Sequence, residues 1–537
     1  MEKFDATAVH TEVVEQLKEQ ALGTVRLYDE NNTLRLIPVP TDDPNDPLNL
    51  PMWRKHMILA TMILWQLGGM SMPDLPPGID LTKPPPGGYK SIATISLLGS
   101  LPSLFMGMSN FITVPLCLAI GRRAILCILM TLTTACMIWA ALSKNFDHHL
   151  AARCVMGIGA GSFESLSPLV LHDVYFVHQR GNAIGAMWTF SAAISYLFGV
   201  MSSKIVNMVG WRWLYGIFGI LSALGTVMMI FFVPETRYVR AIQQIDGELI
   251  DTDAYGNIRV IGKVTDTNST TNMVARSPSL GSDSGYKPRS WANDMKFSHG
   301  NVNWANCWTC YRHMLKAAFL PNIAWVVILN SICIAISISS LMTYAQPLMV
   351  WEKGGPWTVD NLGLSTLAML PACFLSFFLS GWGMDWISKH MAKKNGGIHE
   401  PESRLPSLIL PSIFTVIGSV IYGVSSAHTD QYHWAISLLG AFFLNFGFLS
   451  LNTSLSVYAV ECYPRWAGPL LVMVCALRNV VGFAMNFKIV DFINACGYDG
   501  AFGIYAGIFG GFALIGIPIY VWGKRLREWS AGWAGLA

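Results

Sequence analysis

Apolar residues in this chain do not alternate with polar ones; they run on for some twenty positions at a time. Twelve such runs stand out, near 54–75, 91–115, 121–142, 149–171, 181–203 and 211–233, then near 317–348, 360–384, 405–425, 434–457, 467–490 and 501–522. About 20 apolar residues carry a helix across the hydrocarbon core of a bilayer. A membrane barrel would need shorter strands of alternating polarity, and the runs show no such period. The pattern predicts an all-α membrane protein of twelve transmembrane helices, numbered here as spans 1 to 12. A polar stretch divides them into a six-helix bundle over 54–233, a cytoplasmic linker over 234–316 and a second six-helix bundle over 317–522, with cytoplasmic tails at 1–53 and 523–537. The first tail and the linker read as mostly without fixed structure, apart from a short helix near 8–19. Six spans plus six around a polar loop is the layout of carriers that bind near the midplane and rock one bundle against the other.

Composition agrees with lipid as the solvent. Only 13% of the 537 residues are charged and 52% are hydrophobic, against about 25% charged in a soluble domain; mean hydropathy is +0.42. A net charge of +3 with no dense basic tract excludes a nucleic-acid partner. The first residues lack a basic segment leading into an apolar one, so no cleaved signal peptide is expected and span 1 serves as its own insertion signal. Most of the eleven cysteines, such as Cys127, Cys136, Cys333 and Cys475, fall inside apolar runs and read as small core residues. Cys307 and Cys310 form a CxxC without the second ligand pair that a zinc site needs.

With the N-terminus in the cytoplasm, 17 basic residues flank the inner ends of the spans and 7 flank the outer ends, the sense of the positive-inside rule. Trp53, Trp382, Trp386, Trp466 and Trp522 then mark the inner interface, and Trp211, Trp213, Trp351, Trp357 and Trp434 the outer. The sequons at Asn31, Asn268 and Asn452 miss every outer loop, so no N-glycan is expected. His148 and His149 fall on an outer loop and read as a solvated pair.

A few polar groups sit where apolar ones are cheaper. Arg153 lies inside span 4 toward its outer end, and Arg478 falls near the middle of span 11, followed by Asn479. A charge at that depth is costly and marks function by default. Arg478 there needs a carboxylate, carbonyls, water or an anionic ligand. Glu164 follows Arg153 by eleven residues, within about 20° of the same helix face but roughly 16 Å along the axis, too far to pair with it. Gly157 and Gly161 make a small-xxx-small pair suited to close helix packing. Gln66, Trp188, Tyr196, Asn330, Tyr344, Asn445 and Asn452 are candidates for lining a cavity of apolar walls with a few placed polar groups.

The residues at the span ends carry a resemblance. Asp46-Pro-Leu-Asn-Leu-Pro-Met-Trp-Arg-Lys precedes span 1, Gly121-Arg-Arg follows span 2, and Arg153-Cys-Val-Met-Gly-Ile-Gly-Ala-Gly lies in span 4. Arg180-Gly181 precedes span 5, Pro234-Glu-Thr-Arg-Tyr follows span 6, and Pro401-Glu-Ser-Arg-Leu precedes span 9. Arg478-Asn479 in span 11 and Gly523-Lys-Arg-Leu-Arg after span 12 complete the series. Over nearly all of 45–527 the chain resembles a fungal transporter of the major facilitator superfamily, in the branch of drug:proton antiporters and polyamine-type permeases. The resemblance implies the major facilitator fold, two pseudo-symmetric six-helix bundles. It also implies proton coupling at the span 4 arginine, here Arg153, and conformational loop motifs at Gly121, Arg122, Arg123, Gly381 and Asp385. In the first of those loops the family's acid is replaced by Leu118; Gly381-Trp-Gly-Met-Asp385 keeps it in the second half. Span 5 lacks the Gly-Pro-x-x-Gly-Gly of drug:proton antiporters.

The expectation is a secondary transporter that moves a small organic molecule by alternating access with a proton. Arg153, Glu164, Arg478 and Asn479 serve coupling or substrate contact. Efflux of a metabolite or drug-like compound is the first reading and symport of a nutrient or polyamine the second; a non-transporting receptor on the same scaffold is the alternative from another class. No P-loop, dinucleotide fingerprint, HExxH or Gly-x-Ser-x-Gly occurs, so no enzyme, cofactor or metal is expected. The partners are substrate, proton and membrane lipids, the chain a monomer, and the place the plasma membrane, with the vacuolar membrane as the alternative.

Overall fold

The structure, a computed structural model, describes residues 25–26, 43–70, 92–238, 243–245, 248–252, 258–263, 289–297, 302–350, 357–358, 361–396, 398–463 and 466–534. The helix expected near 8–19 lies outside the described residues. Eleven helices among them are long and apolar enough to cross a membrane. The twelfth, span 1 (Met52–Met70), carries Arg54 and Lys55 in its first turn. The first bundle continues with span 2 (Ile92–Ile120), span 3 (Arg122–Leu142), span 4 (Phe146–Val174), span 5 (Val177–Val209) and span 6 (Trp211–Phe232). The second holds span 7 (Pro321–Val350), span 8 (Leu362–Lys394), span 9 (Pro401–Ala427), span 10 (Trp434–Cys462) and span 11 (Ala467–Phe487). Span 12 runs through Ile489–Leu514 and Gly516–Ala534, with a break at Gly497. Helices predominate because backbone groups in lipid must bond within their own segment.

The two bundles meet along two seams, span 2 against span 11 and span 5 against span 8. Large apolar side chains such as Ile112, Ile220, Leu224, Ile413 and Ile517 point outward and are exposed. Polar side chains such as Asn110, Arg153, Asn330 and Arg478 are buried. This inverted surface suits a chain whose surroundings are hydrocarbon.

Three stretches differ from the sequence expectation. The linker carries a three-stranded antiparallel sheet, Gln243–Ile245, Glu248–Thr252 and Ile258–Lys263, and a helix, Trp304–Ala317, that buries Cys310, Met314 and Ala317. The residues after 522, read as a tail, continue span 12 as helix to Ala534. A buried Arg527–Glu402 pair at 2.6 Å and a Tyr463–Ser530 hydroxyl contact at 2.8 Å hold that extension against spans 9 and 10. His149 is not solvated. It is buried at the start of span 4, where its ring nitrogens meet Ser143 Oγ (3.0 Å) and Tyr215 Oη (3.2 Å).

Span 4 breaks at Ser162, and the break aims the residues after it. Pro168 has no N–H to give the Glu164 carbonyl one turn earlier; the Cys475 thiol lies 3.6 Å from that carbonyl. Asn110 of span 2 donates to the Gly161 carbonyl at 3.2 Å, and Ser162 Oγ meets Ser109 and Thr113 at 3.1 and 2.7 Å. Gly161 allows this approach, because a Cβ there would collide with the Met106 backbone. Gly161→Val should force spans 2 and 4 apart, at a cost of about 1–3 kcal/mol or more. The expected result is a lower thermal midpoint and a loss of monodisperse protein in detergent chromatography; wild-type values would contradict the packing described.

Candidate functional site

A cavity of about 150 Å³ lies between the bundles. Gln66 of span 1, Glu164 of span 4, Trp188 and Tyr196 of span 5, Asn445 of span 10 and Asn479 of span 11 supply its polar groups, and Phe163 and Phe448 its aromatic walls. Four of the seven residues expected to line it do so: Gln66, Trp188, Tyr196 and Asn445. The other three do not. Asn330 and Asn452 stand behind Arg478, where the Asn330 amide donates to Asn452 Oδ1 at 3.3 Å and that oxygen also takes a hydrogen bond from Arg478 Nη1. Tyr344 packs into an apolar cluster with Leu348, Leu362, Trp357 and Trp434. All three share a helix face with lining residues, Asn452 with Asn445 on span 10 and Asn330 and Tyr344 with Ile334, Ser337 and Leu341 on span 7, so it is their height along the span that puts them beyond the cavity's ends.

The central contact joins two residues singled out separately in the sequence. Arg478, fully buried on span 11, places Nη2 2.5 Å from Glu164 Oε2 on span 4. Asn479 Nδ2 donates to the same oxygen at 2.7 Å. Glu164 keeps 12% of its side chain exposed and faces the cavity. A second polar bridge crosses nearby: Tyr196 Oη of span 5 donates to Asn445 Oδ1 of span 10 at 2.6 Å. Both bridges link one bundle to the other. Two lining groups, Gln66 Oε1 and Trp188 Nε1, are buried without a hydrogen-bond partner among the described residues. Buried polar atoms are rarely left so, and here they face the cavity. Arg153 lies off the cavity; it is fully buried and none of its three guanidinium nitrogens has a partner among the described residues.

The inner ends of the spans hold the loop motifs. Gly121 turns the chain at φ 125°, and Glu235, following span 6, accepts from the backbone N–H of Arg122 (3.0 Å) and Arg123 (3.2 Å). Arg122 pairs with Asp173 at 2.8 Å, and Arg123 Nη2 reaches the Ile230 carbonyl at 2.7 Å. In the second bundle Arg404 holds Glu461 through both carboxylate oxygens, at 2.5 and 2.6 Å, and Asp385 at 3.0 Å. Span 3 to span 4 thus mirrors span 9 to span 10. Gly381, in the turn of π-helix over Phe377–Trp382, lies against Gly185 of span 5. Asp385 Oδ2 accepts from the Asn182 N–H of span 5 at 3.2 Å. Gly181 leaves room for this carboxylate, which any Cβ there would meet. On the other seam Leu118 makes an apolar contact with Gly468 at the start of span 11.

The sequence profile of the Major Facilitator Superfamily matches residues 57–484. The chain belongs to the Major Facilitator Superfamily. It is therefore a transporter and a multi-pass membrane protein. Curated relatives include an uncharacterized MFS-type transporter, C1271.10c, of Schizosaccharomyces pombe, 23% identical over 96% of this chain and 94% of that protein. Efflux pump radE of Floropilus chiversii is 24% identical over 91% of this chain and 84% of its own. The proton:xylose symporter XylE of E. coli superposes with a TM-score of 0.54 over 88% of this chain and 96% of that one, at 15% identity, a likeness of fold.

Residues that sequence reading passed over include Asp173 and Glu461, and Glu235 entered it only as part of the motif that follows span 6. The signal for Glu461 was an acid at the inner end of a span, where basic residues are the rule. The arrangement around Arg478 has a measurable consequence. Breaking a buried ion pair by removing one partner costs about 3–5 kcal/mol, while replacing both is far milder. Arg478→Met should lower the thermal midpoint sharply, and adding Glu164→Gln should restore most of it. A double variant no better than the single one would mean that the two side chains do not compensate each other.

Proposed function

We propose that this member of the superfamily exports a small, uncharged organic compound in exchange for protons, with Glu164 as the proton-carrying group. The observation that carries the reading is the Glu164 carboxylate at the cavity wall, held across the bundle seam by Arg478 and Asn479. A proton on Glu164 removes the negative charge from that contact. The pull on Arg478 and Asn479 weakens, the tie between spans 4 and 11 loosens, and the bundles are free to rock. Loss of the proton restores the pair. Substrate competes for the same space, so its entry and the proton's departure are linked, which is the logic of antiport.

Charge arithmetic supports a neutral cargo. Glu164 and Arg478 cancel, and Glu164 is the one carboxylate among the described residues that line the cavity. A polyamine would need several acids, so polyamine uptake finds less support here, and uptake of a neutral nutrient is the second reading. Aromatic walls at Phe163, Trp188, Tyr196 and Phe448 suit a ring-bearing molecule, with Gln66 and Trp188 free to orient it by one acceptor and one donor. Export, rather than uptake, follows relatives that are named as efflux pumps. Arg153 is read as a fixed positive charge on the proton's route. The inner contacts of Asp385 with span 5 act as a latch that must release when the inner side opens.

The test uses the purified protein in vesicles loaded with the pH dye pyranine. Neutral aromatic compounds from a panel should drive proton movement, and cationic amines should not. Glu164→Gln should reduce gradient-driven transport at least tenfold and leave substrate exchange without a gradient measurable. Full gradient-driven transport by Glu164→Gln would sink the coupling role, and spermidine flux through the wild type would sink the neutral-cargo reading.

A further inference from the structure

The linker helix Trp304–Ala317 does something that a tether would not. It packs against span 2 of one bundle and span 11 of the other. Toward span 2, Tyr311 Oη donates to the Phe111 carbonyl at 2.9 Å and the Asn303 N–H to the Ala119 carbonyl at 3.1 Å. Toward span 11, the His313 ring stacks on Trp466 with centroids 4.7 Å apart. Its buried stripe is Cys310, Met314 and Ala317. Beneath it, at the inner end of the seam, the Leu118 side chain lies beside Gly468, close enough to meet a Cβ placed there.

The opposite face carries a second apolar stripe. Trp304, Trp308 and Leu315, with Phe319 just past the helix end, recur at spacings of four, seven and four, and are 62%, 68%, 70% and 75% exposed. Arg312 and Lys316 flank that stripe on its polar edge. Trp53, Trp382, Trp386 and Trp522, toward the inner ends of spans 1, 8 and 12, are exposed as well. An amphipathic helix with aromatic and aliphatic residues on one side and basic residues beside them lies in the plane of a membrane surface. The inner leaflet is the anionic one, and short basic clusters are drawn to it.

We propose that this helix is a lipid-reading clasp. Trp304, Trp308, Leu315 and Phe319 seat in the cytoplasmic leaflet, and Arg312 and Lys316 hold the phosphate and carboxylate groups of anionic phospholipids. The anchored helix then keeps spans 2 and 11 together at their inner ends. Opening inward requires one set of its contacts to part, so the charge of the surrounding lipid sets how readily the carrier faces the cytoplasm. The inference does not depend on the cargo or on proton coupling.

The experiment reads position and seam separately, in full-length protein with Cys307→Ser and Cys496→Ser. An environment-sensitive fluorophore on Leu315→Cys should shift to the blue on passing from detergent into vesicles of phosphatidylcholine that also contain phosphatidylserine, an anionic lipid of that leaflet. A second protein, carrying Leu118→Cys, should react with N-ethylmaleimide at least threefold more slowly in those vesicles than in phosphatidylcholine alone. Arg312→Gln with Lys316→Gln should erase that lipid difference. A Leu315 probe that stays water-exposed in the vesicles overturns the proposal. So does a probe equally blue-shifted in detergent, which would put protein rather than lipid against this face. Equal Leu118→Cys labelling in both vesicle types overturns the clasp.

Discussion

A guanidinium and a carboxylate in contact at 2.5 Å, with the guanidinium wholly out of solvent, constrain the rest of this molecule. Neither charge is tolerable alone at that depth. Each sits on a different bundle, so the cost of separating them becomes a cost of moving one bundle past the other. The surrounding structure serves this contact. Span 4 breaks at Ser162, two residues before Glu164, and Asn110 takes up the Gly161 carbonyl at the break. Asn452 and Asn330 brace Arg478 from behind.

The inner face repeats one plan twice, with one substitution. Arginine on span 3 or 9 holds an acid at the end of span 4 or 10 in each bundle. The residue that ends span 2 or follows the π-turn of span 8 presses against a glycine at the start of span 11 or 5. In one half that residue is Asp385, facing a backbone N–H and the positive end of a helix. In the other it is Leu118, which offers only van der Waals contact. One seam is therefore latched by charge and the other by fit, and the linker helix lies over the second. Such asymmetry lets the two seams respond to different influences.

The twelve apolar runs, the division at the linker and the depth of Arg153 and Arg478 were legible because each is a property of consecutive residues. Lipid demands about twenty apolar positions per span and penalises every charge, so the sequence declares both. It determined the fold class, and by the order of its terminal motifs, the superfamily. It also marked Glu164, Arg478 and Asn479. What it could not declare was that they meet, because they are more than 300 residues apart and helix pitch fixes a residue's height but not its rotation toward a neighbour. Tertiary packing alone decided how far the cavity extends along the spans: Gln66, Trp188, Tyr196 and Asn445 fall at its level, while Asn330, Asn452 and Tyr344 lie beyond its ends. The helices of the linker and of the last residues were likewise hidden. Their stability comes from burying one face, or one arginine, against spans distant in sequence rather than from their own composition.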